Sequence, residues 1–393
     1  MKTVLFNTHD LALIFTIFLC LLFSLFLVTL KKGKRLSHML LATFLLTQAA
    51  IPLDNLIIFG EAFRPFALQL SPNLFYTFGL AYWLEAPLLL LYIRSIIYKD
   101  FKLKLRDGIY FLPFILFSIY FTSQWLILDN GVKLSILIGE SLQTTPIIDR
   151  VLHVVREFLR CVFSILCLIE LHRYNKHIKQ EVADIESVDL TWLKVLVIGF
   201  FVIHINAIFV AIAIVMSYNI GIIVDHETLG LTSNYVVLFL ITGLVFFSAG
   251  YSTIFKGFRD DLKANEHEDK EIHFDPQQIE YITQYMTSNK PYLNHLLTLE
   301  NLANQLHIAP RQLSTIINRH FNKNFFEFIN HYRIEESKNL LKYMDNRKAT
   351  MLDIMDMAGF NSKATFNTFF KKVTGVTPTE YRKNYWKGQN NDV

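Results

Sequence analysis

Two short runs of side chains in the last third of the chain have the types and spacing needed to read a nucleic acid. Arg311, Ser314, Thr315 and Asn318 place a guanidinium, two hydroxyls and a carboxamide along one face of a helix, with Gln312 beside them. Groups of this kind hydrogen-bond to base edges in the major groove, provided that the backbone can come close. Fifty-three residues further on, Ala364, Thr365, Asn367, Thr368 and Lys371 repeat the pattern. Arg319, Lys372 and Arg382 at the flanks are suited to phosphate oxygens.

The elements that must position these faces follow from the apolar periodicity. Leu299, Leu302, Ala303 and Leu306 predict a short helix, and His307 to Pro310 a turn with Pro at the first helical position of the next element. That next helix, 310–321, is expected to bury Leu313, Ile316, Ile317 and His320. In the second unit Met351, Ile354 and Met355 lead into Gly359, whose lack of a Cβ suits a tight turn. Asn361 or Ser362 then caps a helix expected to bury Phe366, Phe369, Phe370 and Val373. The buried stripes and the outward faces superpose at the same offset of 53 residues, as Leu313 on Phe366 shows. A single amphipathic helix with a solvated face is ordinary. Two in matching register, each behind a short helix and a turn, indicate a repeated helix-turn-helix unit. A helix over 276–287, with Ile279, Ile282 and Met286 on one side, leads into the first unit. A longer one over 324–344 carries Phe328, Ile329, Tyr332, Leu340 and Leu341 for both cores, and its rigidity would fix the spacing of the two readers.

The stretch from Thr298 to Arg382 resembles the DNA-binding domain of the AraC/XylS family of bacterial transcription regulators. Leu299, Leu302 and Ala303, then Arg311, Leu313 and Ser314, then 325–332 with Arg333 carry the first part of the resemblance. Ile354, Gly359, Phe360, Phe366, Phe370, Lys371, Gly375, Thr377, Pro378, Tyr381 and Arg382 carry the second, which is similar to the family's specific closing signature. Met355 stands where the family usually has a small Ala, and Ala309 where a capping Ser is common; neither lies on an outward face. The resemblance covers the last third of the chain. It implies that both recognition helices enter successive major-groove faces of double-stranded DNA, about one turn or ~34 Å apart. It also implies a homodimer and contact with RNA polymerase.

The remaining two thirds are of another character. The chain has 393 residues, 52% hydrophobic and only 18% charged, with a mean hydropathy of +0.32, unusual for a water-soluble protein. Its net charge of +4 decides little, and the region from His273 onward, with 15 Lys and Arg against 11 Asp and Glu, is only mildly basic. Affinity for DNA therefore has to come from local placement of charge. Cys20, Cys161 and Cys167 sit in apolar stretches without a CxxC pair or disulfide pattern, as small core residues do. Residues 11–30 form an uncharged run followed by KKGKR, long enough to cross a bilayer and with its positive charge on the wrong side for a signal peptide. Further spans are expected at about 37–60, 74–98, 109–128, 147–171, 192–217 and 234–254, giving a bundle of seven transmembrane helices. The fifth is the weakest, since it carries Asp149, Arg150, Arg156, Glu157 and Arg160. Lys and Arg crowd the loops after the first, third and fifth spans and are sparse in the alternate loops. Positive charge stays inside, so the N-terminus is expected outside and the C-terminus in the cytoplasm, next to the DNA.

The expected architecture is all-α. A seven-helix sensor or anchor occupies 1–255, a juxtamembrane linker 256–272, the tandem helix-turn-helix domain 273–387 and a polar tail 388–393. The linker's acidic composition suits solvated chain better than a metal site at His267 and His273. Within the spans, Trp83, Glu85, Arg156, Glu157 and Arg160 are the candidates for lining a polar cavity that senses a small-molecule or envelope signal; mutual pairing of these charges is the simpler explanation. No catalytic motif, cofactor fingerprint or metal-ligand spacing is recognisable, which argues against an enzyme. The reading is a one-component transcription regulator embedded in the lipid bilayer of the bacterial inner membrane. The alternative is a transporter or small-molecule receptor with a fused DNA-binding domain.

Overall fold

The computed structural model describes residues 8–30, 34–98, 101–139, 147–185, 190–220, 226–251, 275–342 and 349–390. Among them no strand forms, and the residues divide into two compact units. The first comprises residues up to His172 together with Leu190–Asp261; the second comprises Arg173–Asp189 and Leu262 onward. The segment after the fifth apolar stretch thus belongs with the second unit.

The first unit holds α1 (Thr8–Thr29), α2 (Arg35–Phe59), α3 (Phe63–Leu70), α4 (Glu85–Ile97), α5 (Leu112–Phe121), α6 (Asn130–Leu137), most of α7 (Ile147–Glu181), α8 (Thr191–Ile220) and α9 (His226–Tyr251). All seven expected spans contain helix, but not as seven uniform rods. Among the described residues five stretches are both long and apolar enough to cross a membrane: Thr8–Thr29, Arg35–Phe59, Pro72–Ile97, Leu105–Leu126 and Thr191–Ile212. The third is broken into 3-10 turns at Pro72–Leu74 and Phe78–Trp83 before α4 begins, and Tyr76, at φ 63°, interrupts it. In the fourth a 3-10 turn precedes α5 and a π turn at Thr122–Leu126 follows it. The last stretch contributes a shorter apolar segment, Thr232–Phe247. The charges of the fifth, α7, exclude it from the five. Helices α3 and α6, which lie between expected spans, are short and have no counterpart in the sequence reading.

The patterning of this unit is inverted relative to a water-soluble bundle. Helix α1 turns Leu11, Phe15, Phe18, Leu22 and Leu25 outward, while Asp10, Thr16 and Ser24 face inward with Leu13 and Phe23. Gln48, Asp54, Glu85, Glu157, Arg160, Glu170 and His204 are all buried. So large an exposed apolar surface is unfavourable against water and is suited to lipid.

The second unit holds α10 (Pro276–Asn289), α11 (Leu299–Leu306), α12 (Pro310–Arg319), α13 (Phe325–Lys342), α14 (Met351–Met357), α15 (Lys363–Thr374) and α16 (Pro378–Asn390). It has two apolar cores. Ile282, Met286, Leu302, Leu313, Ile316 and Phe328 belong to one, and Ile334, Leu341, Ile354, Phe366 and Phe370 to the other. Helix α13 supplies both, which is the bridging role its length and pattern predict. Helix α16 runs to Asn390, into the stretch expected as a tail. The expected linker lies outside the described residues, His267 and His273 included.

Candidate nucleic-acid interface

Each recognition helix is placed by a short helix ahead of it. For α12 that is α11, started by Thr298, whose hydroxyl accepts from Asn301 N–H at 3.1 Å. It is stopped by His307 at φ 55°, a left-handed C-cap. Ala309 brings no side-chain cap to α12, and Pro310 at its first position limits the cost because it has no N–H to satisfy. For α15 the preceding helix is α14, opened by a reciprocal capping box in which Thr350 Oγ1 accepts from Asp353 N–H at 3.1 Å and Asp353 Oδ2 accepts from Thr350 N–H at 2.8 Å. Thr350 Oγ1 also donates to Asp353 Oδ2 at 2.8 Å, and this bond, with the one from Thr350 N–H, holds the exposed Asp353 carboxyl below its usual range. Gly359 then turns the chain at φ 83°. Ser362 is the N-cap of α15, its hydroxyl accepting from Thr365 N–H at 3.2 Å.

Both stripes expected in the core are found there, with two exceptions. Leu313, Ile316 and Ile317 are buried, as are Phe366 and Phe370, with Phe369 half-buried. His320 and Val373 are exposed instead. They fall at the last turn of their helices, past the edge of the core, so the periodicity continues where the packing has stopped. His320 sets its ring edge-on to Phe321, with centroids 4.9 Å apart.

The outward faces are where the spacing puts them. On α12, Arg311, Gln312 and Arg319 are exposed, and Ser314, Thr315 and Asn318 half-exposed. Thr315 Oγ1 donates to the Arg311 carbonyl at 2.9 Å and Asn318 Nδ2 donates to Ser314 Oγ at 3.3 Å, which orders the short polar side chains along the face. On α15, Ala364, Asn367, Thr368, Lys371 and Lys372 are exposed and Thr365 half-exposed. The flanking cations differ in availability. Lys372 meets Glu327 at 3.4 Å with its side chain 65% exposed, a surface pair that a phosphate can replace at little cost. Arg382 is half-buried and donates from Nη1 to the Ala349 carbonyl at 2.6 Å, so it ties α16 to the start of α14.

Two residues outside these faces organise the unit. Arg333, midway along α13, is 1% exposed. It donates to the carbonyls of Tyr292 at 2.7 Å, Asn294 at 3.0 Å and Ala183 at 3.2 Å, and its guanidinium lies 5.6 Å from the centroid of the Phe360 ring. Burial pushes its pKa down to about 10, partly offset by Asp184. A Cβ on Gly359 would come within 2.6 Å of the Tyr292 carbonyl oxygen and 2.7 Å of Leu293 Cα, so the turn of the second unit fits directly against the segment that precedes the first. The sequence holds a signal for Arg333, a cation one turn beyond Ile329 on the core face of α13. It holds none for the partners that the cation finds.

The charged residues singled out in the apolar part meet one another. Glu85 accepts from Gln48 Nε2 at 2.9 Å and from Arg160 Nε at 2.8 Å, and His204 Nε2 lies 3.0 Å from it. Arg160 also donates to Glu157 at 2.5 Å, and Arg156 to the other oxygen of Glu157 at 2.8 Å. The two guanidinium groups lie 4.3 and 5.3 Å from the Tyr82 ring centroid. Trp83 stacks on Phe117, its indole N–H buried without a hydrogen-bond partner. Tyr82, Trp83, Arg156 and Arg160 line a shallow cleft with room for no more than about one water molecule.

Residues 302–384 match a family of helix-turn-helix domains, so the chain carries a helix-turn-helix domain of the AraC type. Over 89 residues it is 34% identical to the uncharacterized HTH-type transcriptional regulator YijO of Escherichia coli, covering 23% of this chain and 30% of that protein. It is 32% identical over 87 residues to the uncharacterized HTH-type transcriptional regulator YtdP of Bacillus subtilis, 22% of this chain and 11% of that one. A third relative, the bifunctional transcriptional activator/DNA repair enzyme AdaA of Bacillus subtilis, is 29% identical over 109 residues, 28% of this chain and 49% of that protein. In each case the match spans less than half of the relative's length. No solved structure matches the chain.

Proposed function

We propose that the chain is a one-component transcription regulator held in a membrane, which reads DNA through α12 and α15 and is controlled by a signal acting on its apolar unit. The observation that carries the reading is the duplicated outward face, Arg311, Ser314, Thr315 and Asn318 on one helix and Ala364, Thr365, Asn367, Thr368 and Lys371 on the other. Each is exposed or half-exposed, and each is backed by a buried stripe in the same register. Faces of small polar and basic groups on capped, well-packed helices are what direct readout of base edges needs. Arg319 and Lys372 are assigned to phosphates, Arg382 to a phosphate only through whatever part of its guanidinium Ala349 leaves open.

The inverted patterning of the first unit supports membrane embedding, because its polar side chains are paired inside and its apolar ones face outward. The excess of Lys and Arg after the first, third and fifth stretches supports an inner-membrane topology with the helix-turn-helix domain in the cytoplasm. Residues 182–184 belong with the helix-turn-helix unit, which supports a reading in which the loop after the fifth stretch and that domain share one side of the bilayer. Glu85, Glu157, Arg160 and Arg156, with Trp83 at the adjoining space, are assigned to signal reception. A homodimer and contact with RNA polymerase complete the proposal.

The test uses the full chain in lipid nanodiscs to select fragments of its source genome at about 150 mM salt, where non-specific binding is weak. A shared motif with two half-sites about one helical turn apart is expected. In that case Arg311→Ala blurs one half and Thr368→Ala the other. Enrichment of no motif by the parent chain, or blurring of both halves by either variant, would refute the assignment.

A further inference from the structure

Residues Val182, Ala183 and Asp184 follow α7 in the sequence, between the fifth and sixth apolar stretches, yet they are built into the second unit. Val182 pairs with Thr298 as an isolated antiparallel bridge. The Ala183 N–H donates to the Leu297 carbonyl at 3.1 Å, and the Ala183 carbonyl accepts from Arg333 Nη1 at 3.2 Å. The methyl group of Ala183, with the residue 1% exposed, joins the core that contains Leu297, Leu302 and Ile329. Asn361 Nδ2 donates to Asp184 Oδ2 at 3.3 Å.

Three consecutive residues thus reach both helix-turn-helix units at the points where their helices start. Thr298 is the N-cap of α11, and Asn361 stands immediately before Ser362, the N-cap of α15. Between them lies Arg333, a buried cation whose donors are satisfied by carbonyls from separate segments of chain. Such a group holds its surroundings in place only while every carbonyl stays, since a buried donor without a partner is costly. Withdrawal of 182–184 would take away one acceptor of Arg333, leave the Leu297 carbonyl without its donor and open the place of the Ala183 methyl in the core.

We propose that residues 182–184 are a docked strap that sets the placement of the two recognition helices relative to each other, making the loop between the fifth and sixth apolar stretches the element through which the rest of the chain acts on DNA reading. The role in DNA reading rests on the function proposed above; the docking itself does not. The partner of the groove formed by Thr298, Leu297, Arg333 and Asn361 is thereby the chain's own loop. Release and redocking of the strap is the two-state event, and it needs no rigid connection through residues 252–274.

The test has two arms, both on the full chain in native membranes. In the first, Val182→Cys is combined with Thr298→Cys and a protease site is placed at residues 262–264. Antiparallel partners have Cα atoms ~4.5–5.5 Å apart, within disulfide reach. After oxidation and cleavage the two pieces are expected to stay joined within one chain and to separate on reduction, while single-Cys variants separate in either case. Pieces that separate without reductant, or that join only between chains, would overturn the docking. The second arm compares Ala183→Glu and the milder Asp184→Ala on paired and single half-sites. Two half-sites gain affinity together only when the readers span them correctly, so both variants should hold single sites within about twofold and lose about tenfold or more on the pair. Unchanged affinity for the pair in both variants, or an equal loss on single sites in both, would overturn the placement role. A parent chain that selects no DNA would overturn the proposed function and the strap's part in it, while the cross-link would still decide whether the strap docks.

Discussion

Gly359 and Gly375 offer a controlled comparison of two costs that usually come together. Both sit in the left-handed region, at φ 83° and 80°, and both follow a helix of the second helix-turn-helix unit. A side chain at such a φ costs ~1–2 kcal/mol, partly offset by the reduced freedom that Ala has in the unfolded chain. At Gly375 a Cβ would meet nothing within 4 Å, so Gly375→Ala should cost only this conformational part, about 1 kcal/mol. At Gly359 the Cβ would lie 2.6 Å from the Tyr292 carbonyl oxygen, 2.7 Å from Leu293 Cα and 2.8 Å from the Leu293 carbonyl oxygen. All three are backbone atoms and cannot rotate away. Overpacking of this kind adds ~1–3 kcal/mol, giving about 2–4 kcal/mol for Gly359→Ala. Hydrogen exchange of α13 to α16 in the full chain reads the difference as local opening. At a factor of ten per ~1.4 kcal/mol, protection should fall about fivefold for Gly375→Ala and about 30- to 700-fold for Gly359→Ala. Equal losses in the two variants would refute the close approach of the second turn to Tyr292 and Leu293, and with it the argument that the two units are locked together there.

Other consequences follow from the same geometry. Arg333→Leu leaves the carbonyls of Tyr292, Asn294 and Ala183 without their shared donor and should cost about 3 kcal/mol or more, read as loss of exchange protection in both cores at once. Lys372→Ala, where an exposed pair with Glu327 and an exposed contact 5.6 Å from the Phe369 ring centroid are lost, should leave stability within about 0.5 kcal/mol, weaken binding to all DNA sequences alike and reduce the salt slope by about one. Burial, with Glu300 nearby, raises the Glu181 carboxyl from the usual carboxylate range to about 7. The docked state therefore holds its proton more tightly than the released state does. Docking of the strap should be strongest below the usual carboxylate range and weaken as pH rises through about 7, and Glu300→Gln should flatten that profile in exchange measurements corrected for intrinsic rates. In the apolar unit, Arg160→Ala leaves Glu85 and Glu157 buried beside each other without their shared cation, and should cost about 3–5 kcal/mol. Protection of α4 and α7 unchanged by that substitution would show that the cluster is solvated.

What the sequence reveals and what it hides divide along the range of the interactions. The two outward faces, a cap at Asn361 or Ser362 and the role of α13 in both cores are local or strictly periodic, and residue spacing alone predicts them. The exposure of His320 and Val373 is not periodic: it depends on where the core ends, which is a property of the neighbours. The breaks in the third and fourth apolar stretches escape a hydropathy average because 3-10 and π turns have the same composition as the helices they interrupt. The pairing of Glu85 with Arg160 joins residues 75 apart in sequence, and a composition argument can ask for a partner there without naming it.

The strap is the clearest case of a hidden element. Val182, Ala183 and Asp184 have neither the length of a strand nor the period of a helix, and Ala183 looks like any small loop residue. Its importance follows from a count of donors. Arg333 cannot shed its charge under ordinary conditions, and a buried guanidinium requires acceptors for its N–H groups. Among its described partners three are backbone carbonyls, from Tyr292, Asn294 and Ala183, and a fourth is the weaker contact to Asn330 Oδ1 at 3.4 Å. Tyr292 and Asn294 come from within the helix-turn-helix region, whereas Ala183 comes from 150 residues upstream. A helix-turn-helix domain cut from this chain at residue 273 would therefore keep its Arg333 and lose one of the acceptors. Such a fragment should bind each half-site but pair the two less well than the full chain does, and supplying residues 173–189 ahead of residue 262 should restore the pairing. A fragment that already matches the full chain on paired sites would show that the acceptor from Ala183 is dispensable to DNA reading.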